Sequence, residues 1–250
     1  MHVNYDELAP DYINYRVPDA RIAAMIHRHL APGSKVLNVG AGQGSYEPTD
    51  RDLIALEPSQ EMISRRANSC APAIQGCAEA LPFADNSFDA SLAILTIHHW
   101  RNIRKGLAEM RRVTRGKIII LTWNGDFGDF WLPDYLPEIA VIDTKLFPSI
   151  DQLAELLGGF IEVEKVAIPH DCTDGFMCAY WRRPEAYLNP AARNAISTFA
   201  RLGPAIDDGV NRLCQDLDSG LWQQRYQSLL QKSDLDCGYR LVVHDKMSFA

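Results

Sequence analysis

The chain has no apolar run long enough to cross a bilayer, and Met1 to Glu7 lack the basic-then-apolar pattern of a secretion signal. No membrane partner is expected, and the protein reads as soluble and cytoplasmic. The six cysteines (Cys70, Cys77, Cys172, Cys178, Cys214, Cys237) form no Cys-x-x-Cys pair and are spread too thinly for structural zinc. Reduced, mostly buried thiols and no metal are expected. Positive charge is scarce as well. The formal net charge is -7, and the basic clusters are short, as at Arg65-Arg66, Arg111-Arg112 and Arg182-Arg183, each expected to decorate a helix face. Gripping a nucleic acid requires clustered Lys and Arg to neutralise phosphates, so no nucleic-acid partner is expected. No linker or repeat divides the 250 residues, which suffice for one elaborated domain with a full core. Either a monomer or a homodimer fits that length.

What is present begins at Lys35. Val36, Leu37 and Val39 form a short apolar run suited to a buried parallel strand, and the run breaks into Gly40, Gly42 and Gly44, with Ala41 between the first two. Glycines let backbone approach a ligand where a Cβ would collide. The same pattern also serves a strand-to-helix turn with nothing bound. A second apolar run, Leu53 to Leu56, ends in Glu57 and Pro58, and an acid at a strand tip can accept both hydroxyls of a ribose. A dinucleotide fingerprint requires Gly-x-Gly-x-x-Gly, but here the third glycine comes one place early and Ser45 fills the expected slot. The spacing therefore counts against an NAD-dependent oxidoreductase.

Four blocks taken together, VLNVGAGQG (36 to 44), ALEPSQEMI (55 to 63), CAEALPFADNSFDASLAILTIHHW (77 to 100) and MRRVTRGKIIILTW (110 to 123), resemble the class I S-adenosylmethionine-dependent methyltransferases, specifically those acting on small molecules. The likeness covers roughly the first half of the chain and is specific as a set. It implies a seven-stranded, doubly wound, mostly parallel α/β sheet with S-adenosylmethionine across the tips of the first strands and S-adenosylhomocysteine as product. It also implies that Glu57 binds the cofactor ribose, that Met62 lies against adenine, and that Arg16, in an N-terminal arm with Tyr5, Tyr12 and Tyr15, meets the methionine carboxylate. Three departures stand out. Asn38 replaces a customary acid, and Cys77 replaces the acid that would accept from the adenine amino group. Backbone at Ala78 can still read adenine, and Glu79 could lean in or serve the surface. Finally, only Ser45 to Asp52 separate the glycine turn from the second strand, where a crossover usually takes a dozen or more residues, so any helix there must be very short.

A fourth strand, Phe88 to Leu95, is expected to end close to the first, so that Ile94 and Leu95 border the cofactor and His98, His99 and Trp100 follow at once. Either histidine could act as a base where the methyl acceptor carries a proton, or serve as a hydrogen-bonded structural piece. The strand-end signatures of nucleobase methylating enzymes, an Asn or Asp before Pro-Pro-aromatic and a Pro-Cys nucleophile, are missing from Leu95 to Trp100.

Periodicity predicts helices over Asp19 to Leu30, from the cap Ser59, over Ile103 to Val113 and over Ser149 to Leu157. It also predicts strands at Ala73 to Gly76, Lys117 to Trp123, Phe160 to Ile168 and Tyr239 to His244. The reading is thus one domain over residues 1 to 250: an arm and helix to residue 30, a cofactor core over 31 to 168, an insertion over 169 to 238 and a last strand with its tail. The insertion reads as helices and exceeds what a hairpin needs. It is expected either to cap the active site or to form an oligomer interface. Candidate acceptor contacts are Tyr12, Trp123, Asn124 and Phe130, with Asp174 and Tyr180 near the hinges of the insertion. The acceptor atom is not written in any of these blocks.

Overall fold

The computed structural model describes residues 12 to 246. Nine strands form: β1 (Lys35–Val39), β2 (Asp52–Glu57), β3 (Ala73–Gln75), β4 (Phe88–Ile94), β5 (Thr114–Trp123), β6 (Glu162–Lys165), β7 (Ile168–Pro169), β8 (Asp234–Leu235) and β9 (Tyr239–Asp245). The chain divides into two compact units. One comprises Ala20–Asn124, Phe147–Lys165 and Arg240–Ala250; the other comprises Met1–Asp19, Gly125–Leu146 and Val166–Tyr239.

The first unit is built on a seven-stranded sheet of order β3-β2-β1-β4-β5-β9-β6. Four neighbouring pairs, β1 with β2, β1 with β4, β2 with β3 and β4 with β5, run parallel, whereas β6 pairs antiparallel with β9. Val36, Leu37 and Val39 are fully buried, which is why β1 reads as a nearly unbroken apolar run. Strand order reverses at β1, between β2 and β4, and in open sheets of this kind ligands bind outside the carboxyl ends at such a switch point. The helix Ile103–Val113 buries Leu107, Met110 and Val113, and its cap Asn102 accepts from the Lys105 N–H at 3.0 Å. A capping box of Ser149 and Gln152 starts the helix Ile150–Leu157, which buries Leu153 and Leu157 in the same core.

Two expected elements differ. Strand β5 begins at Thr114 rather than Lys117, because the preceding helix passes straight into it and the Thr114 hydroxyl donates to Ser91 Oγ at 2.9 Å inside the sheet. The single strand expected over Phe160 to Ile168 is two: β6 pairs with β9, and β7 pairs with β8 in a separate two-stranded ladder. Alternating polarity fits either ladder and cannot mark where the chain changes partner.

The second unit combines helices, several of only four to six residues, with the β7–β8 ladder around an aromatic core. Helices of four to six residues are unstable alone, and here Trp131 meets Tyr135, Tyr187 and Trp222 edge-on at ring-centroid distances of 5.8, 5.6 and 5.2 Å. Each such pair adds about 0.5 to 1.5 kcal/mol beyond its buried area. The indole N–H of Trp131 donates to the Trp181 carbonyl at 2.6 Å, and Tyr135 and Tyr226 donate to Asp216 and Asp134 at 2.6 and 2.7 Å.

Asp143 is an exception in this core. Only 4% exposed, it accepts from the Thr198 hydroxyl at 2.7 Å, and burial pushes its carboxyl up to about 6. Because the folded carboxyl holds its proton up to a higher pH than the unfolded one, this contribution is fully favourable below about pH 4 and is lost as pH rises through about 6. The loss amounts to about 3 kcal/mol above that window. Asp143→Asn is therefore expected to stabilise the protein by about 2 kcal/mol at pH 7.5 and to change it little at pH 4. Urea unfolding of both proteins across pH 4 to 8, followed by tryptophan fluorescence, tests this, and parallel pH profiles would refute it.

Candidate active site

The carboxyl ends of β1 and β2 are tied together by the glycine turn. Gly40 and Ala41 both donate their N–H groups to the Leu56 carbonyl, at 2.8 and 3.1 Å, so the chain folds back over the tip of β2 as soon as it leaves the sheet. Gly40 adopts φ +70°, and a Cβ there would overlap the Thr96 hydroxyl. Gly42 also has a positive φ, +52°, but a Cβ there would face only Met62 Cε at 3.8 Å. One glycine is required by packing behind the turn; the other leaves its outer side open to a ligand.

Glu57, 6% exposed, bridges the turn and the next helix. Its Oε2 accepts from the Gly42 N–H at 2.8 Å and its Oε1 from the Ser59 N–H at 3.0 Å, while Ser59 caps the helix Gln60–Ser64 through Met62 N at 3.1 Å. A carboxylate offers about four acceptor directions, and a ribose diol would use those turned outward. Met62 is buried beneath the turn, with Gln43 Nε2 donating to its sulfur at 3.7 Å.

Asn38, 2% exposed, donates through Nδ2 to Glu47 Oε1 at 3.1 Å, which leaves its buried Oδ1 without a partner among the protein atoms. A carboxylate can only accept, so this orientation of the amide is the one that makes the bond. A glycine cradle, a buried acid at the tip of β2 and an orphaned buried acceptor together suit the sugar and the ammonium of S-adenosylmethionine. On this fit Gly40, Ala41, Gly42, Gly44, Glu57, Pro58 and Met62 would hold the nucleoside, and Asn38 would serve the amino-acid end.

At the adenine side Cys77 is exposed and Ala78 is 4% exposed. Glu79 is drawn away: its Oε1 accepts the Asn102 N–H at 3.0 Å and so helps to start the following helix. At the tip of β4, Leu95 takes φ +50° while its N–H bonds the Leu121 carbonyl at 2.9 Å. A left-handed leucine is strained, and it turns the chain past Ile94 into the 3-10 turn Ile97–His99. His98 stacks on Phe147 at 4.0 Å, and its ring lies 3.8 Å from that of His99. Trp123, 2% exposed, meets Phe147 edge-on at 5.6 Å, and Asn124 follows at the end of β5.

The remaining sequence candidates fall in the other unit. Arg16 donates through Nε to Asp174 Oδ1 at 2.5 Å and through Nη2 to Oδ2 at 3.4 Å, and the Asp174 side chain is fully buried beneath it. The structure therefore gives Arg16 a carboxylate partner within its own chain. Phe130 is 4% exposed and packs on Trp131 and Tyr187, while Tyr180, 8% exposed, lies under the Arg183 guanidinium at 5.0 Å. The side chain of Tyr12 lies outside the described residues.

Several participants were not singled out from the sequence: Thr96 behind Gly40, Phe147 against His98, and a buried pair formed by Glu47 and Arg66. Arg66 was expected on a helix face, but only its neighbour Arg65 lies there, paired with Glu61 one turn earlier at 2.9 Å. Asn38 in place of the acid that the family resemblance implies was the available signal, since a missing charge there invites a search for one nearby. An open cavity of about 370 Å³ lined by Gly44, Glu47, Thr49, Asp52, Leu53 and Cys70 runs from the end of the glycine turn toward the amino end of β2. Among the described residues no group of three or more His, Cys, Asp or Glu is gathered as for a metal, and the six cysteines are free thiols.

Comparison with known proteins agrees with this geometry. The family model described as "Methyltransferase domain" matches residues 37–121. A solved structure from Anabaena variabilis, described as a methyltransferase from an antibiotic biosynthesis pathway, is 33% identical with a TM-score of 0.85, over 92% of this chain and 98% of that one. Demethylmenaquinone methyltransferase of Renibacterium salmoninarum is 38% identical over 151 residues, 54% of this chain; the match spans 64% of that relative's length. The tRNA (carboxymethyluridine(34)-5-O)-methyltransferase alkbh8 of Xenopus tropicalis is 28% identical over 131 residues, which cover 49% of this chain and 21% of that protein. With a structural relative that is 33% identical over nearly its whole length and a family model matched across the strands of the glycine turn, the chain belongs to the class I S-adenosylmethionine-dependent methyltransferases.

Proposed function

We propose that the protein moves a methyl group to a small organic acceptor by in-line displacement. Bound S-adenosylmethionine supplies a methyl group already activated on a sulfonium, so the chain has to hold the donor, align the nucleophile and exclude water. The observation that carries the reading is the Glu57 carboxylate, which accepts from Gly42 and Ser59 at 2.8 and 3.0 Å and so lies beside an open glycine turn as an acid able to take a sugar diol.

A small acceptor is supported by charge. The chain carries a formal net charge of -7, and three arginines of its basic pairs are engaged internally: Arg66 with Glu47, Arg112 with the Leu81 and Phe83 carbonyls and Glu109, Arg183 with the Cys172 and Ala179 carbonyls. The negative balance disfavours a phosphate groove. The relatives named for demethylmenaquinone and for antibiotic biosynthesis support the same reading. Free thiols throughout suit a reducing compartment, and we place the protein in the cytoplasm. Among the described residues no helix is long and apolar enough to cross a membrane. The helical unit, which the chain enters directly after the β5 tip, is proposed to carry acceptor specificity. His98 or His99 serves as base for acceptors that must lose a proton.

Isothermal titration with S-adenosylmethionine, S-adenosylhomocysteine and NAD, followed by an acceptor screen read as S-adenosylhomocysteine formation, tests the proposal. Binding of the first two without NAD, and turnover on a small acceptor, is expected. Binding of NAD alone, or of none, would overturn it. With an acceptor that carries a proton, loss of the responsible histidine should lower kcat by about 10² or more at unchanged affinity for the donor.

A further inference from the structure

We infer that a buried ion pair between Glu47 and Arg66 positions the glycine turn for the cofactor, in place of the crossover helix that this chain lacks. The inference rests on reading the strand tips as the cofactor site.

Between Val39 and Asp52 the described chain forms turns but no helix, so neither even the single helical turn expected near Ser45 nor a longer helix braces the backbone behind Gly40 to Gly44. Tyr46 instead takes φ +62° and buries its ring, and its carbonyl accepts from His27 Nε2 at 2.9 Å. Arg66 reaches into this gap from beyond β2. Its Nη1 donates to the Gly42 carbonyl at 3.1 Å, and its Nη2 donates to Glu47 Oε2 at 2.7 Å and to the Ala71 carbonyl at 3.0 Å. The side chains of Arg66 and Glu47 are only 5% and 6% exposed, and Asn38 donates to the same Glu47 carboxylate at 3.1 Å.

The arrangement holds both sides of one glycine. The Gly42 N–H is fixed by Glu57 and its carbonyl by Arg66, so the peptide planes flanking Gly42 are set before any ligand arrives. A buried ion pair is a poor device for stability, because desolvation consumes most of its attraction, but removing one partner strands a buried charge. What it supplies here is geometry. The substitution of Asn for acid at position 38 fits the same scheme, since a carboxylate at 38 would face that of Glu47 across 3.1 Å with one guanidinium between two charges.

The test is the affinity of the purified full chain for S-adenosylhomocysteine, measured by titration at a temperature where near-ultraviolet circular dichroism shows each variant folded. Arg66→Met is expected to weaken binding by about tenfold or more, with Arg66→Lys between it and the native protein. Glu164→Gln, which breaks the pairing with Arg28 and His29, is a control for lost stability and should leave the affinity unchanged. Asn38→Asp should weaken binding in the native background yet strengthen it in Glu47→Gln, because the carboxylate has then been moved rather than doubled. If Arg66→Met does not fold, that reversal of sign decides. Native affinity in folded Arg66→Met, or a uniform effect of Asn38→Asp in both backgrounds, would overturn the inference. Failure of the native protein itself to bind would instead overturn the reading of the site.

Discussion

Replacing Glu57 by alanine is expected to weaken S-adenosylhomocysteine binding by about 100-fold or more. The carboxylate satisfies two backbone N–H groups at 2.8 and 3.0 Å, one from the glycine turn and one from the cap of the next helix. Hydrogen bonds to a charged group contribute about 1.5 to 3 kcal/mol each, and their loss leaves donors unmade at the moment the sugar also loses its acceptor. Glu57→Gln separates the two effects. The amide keeps one acceptor oxygen but turns an N–H group toward either Gly42 or Ser59, so the turn is disturbed while side-chain volume is kept. Titration of both variants, with folding followed by circular dichroism, checks the assignment. An alanine variant that binds as tightly as the native protein would place the ribose elsewhere.

Gly40→Ala is expected to destabilise the protein strongly. It combines a left-handed backbone at φ +70° with a methyl driven into the Thr96 hydroxyl. Overpacking costs about 1 to 3 kcal/mol and a left-handed alanine about 1 kcal/mol more, a large share of the stability of an ordinary domain. Thr96→Ala in the same chain removes the steric part and leaves the backbone part, so it should recover a portion of the loss. Gly42→Ala is the informative contrast: the nearest atom lies 3.8 Å away, so stability should fall by only about 1 kcal/mol, with the main loss in cofactor affinity. Urea midpoints for the three variants and titration of the last one provide the comparison. Equal destabilisation by Gly40→Ala and Gly42→Ala would contradict the packing described for the turn.

The strands of the cofactor half were legible in the sequence because parallel strands covered on both faces leave continuous apolar runs such as Val36 to Val39 and Leu53 to Leu56. Glu57 was legible as the acid that closes β2, because it follows such a run directly. The helices Leu132–Tyr135 and Pro137–Leu146 were not, because the first is a single turn held by Trp131 and its aromatic neighbours and the second has only a weak apolar stripe. Arg16 shows how a partner can come from far along the chain. An arginine in an arm near the expected cofactor invites a carboxylate partner, and the partner in the structure is Asp174, 158 residues away in sequence.

By itself, then, the sequence determined the strands of the cofactor half, the glycine turn and the acid that closes β2, because each is encoded by neighbours along the chain. The tertiary structure alone decided where charge is spent. Arg66 is buried on Glu47 and the Gly42 carbonyl, Glu79 is turned to Asn102, and Phe130 is packed among aromatics. The physical reason is that a charged or aromatic side chain takes its role from what lies within a few ångströms once the chain has folded, and those neighbours come from segments that local periodicity does not connect.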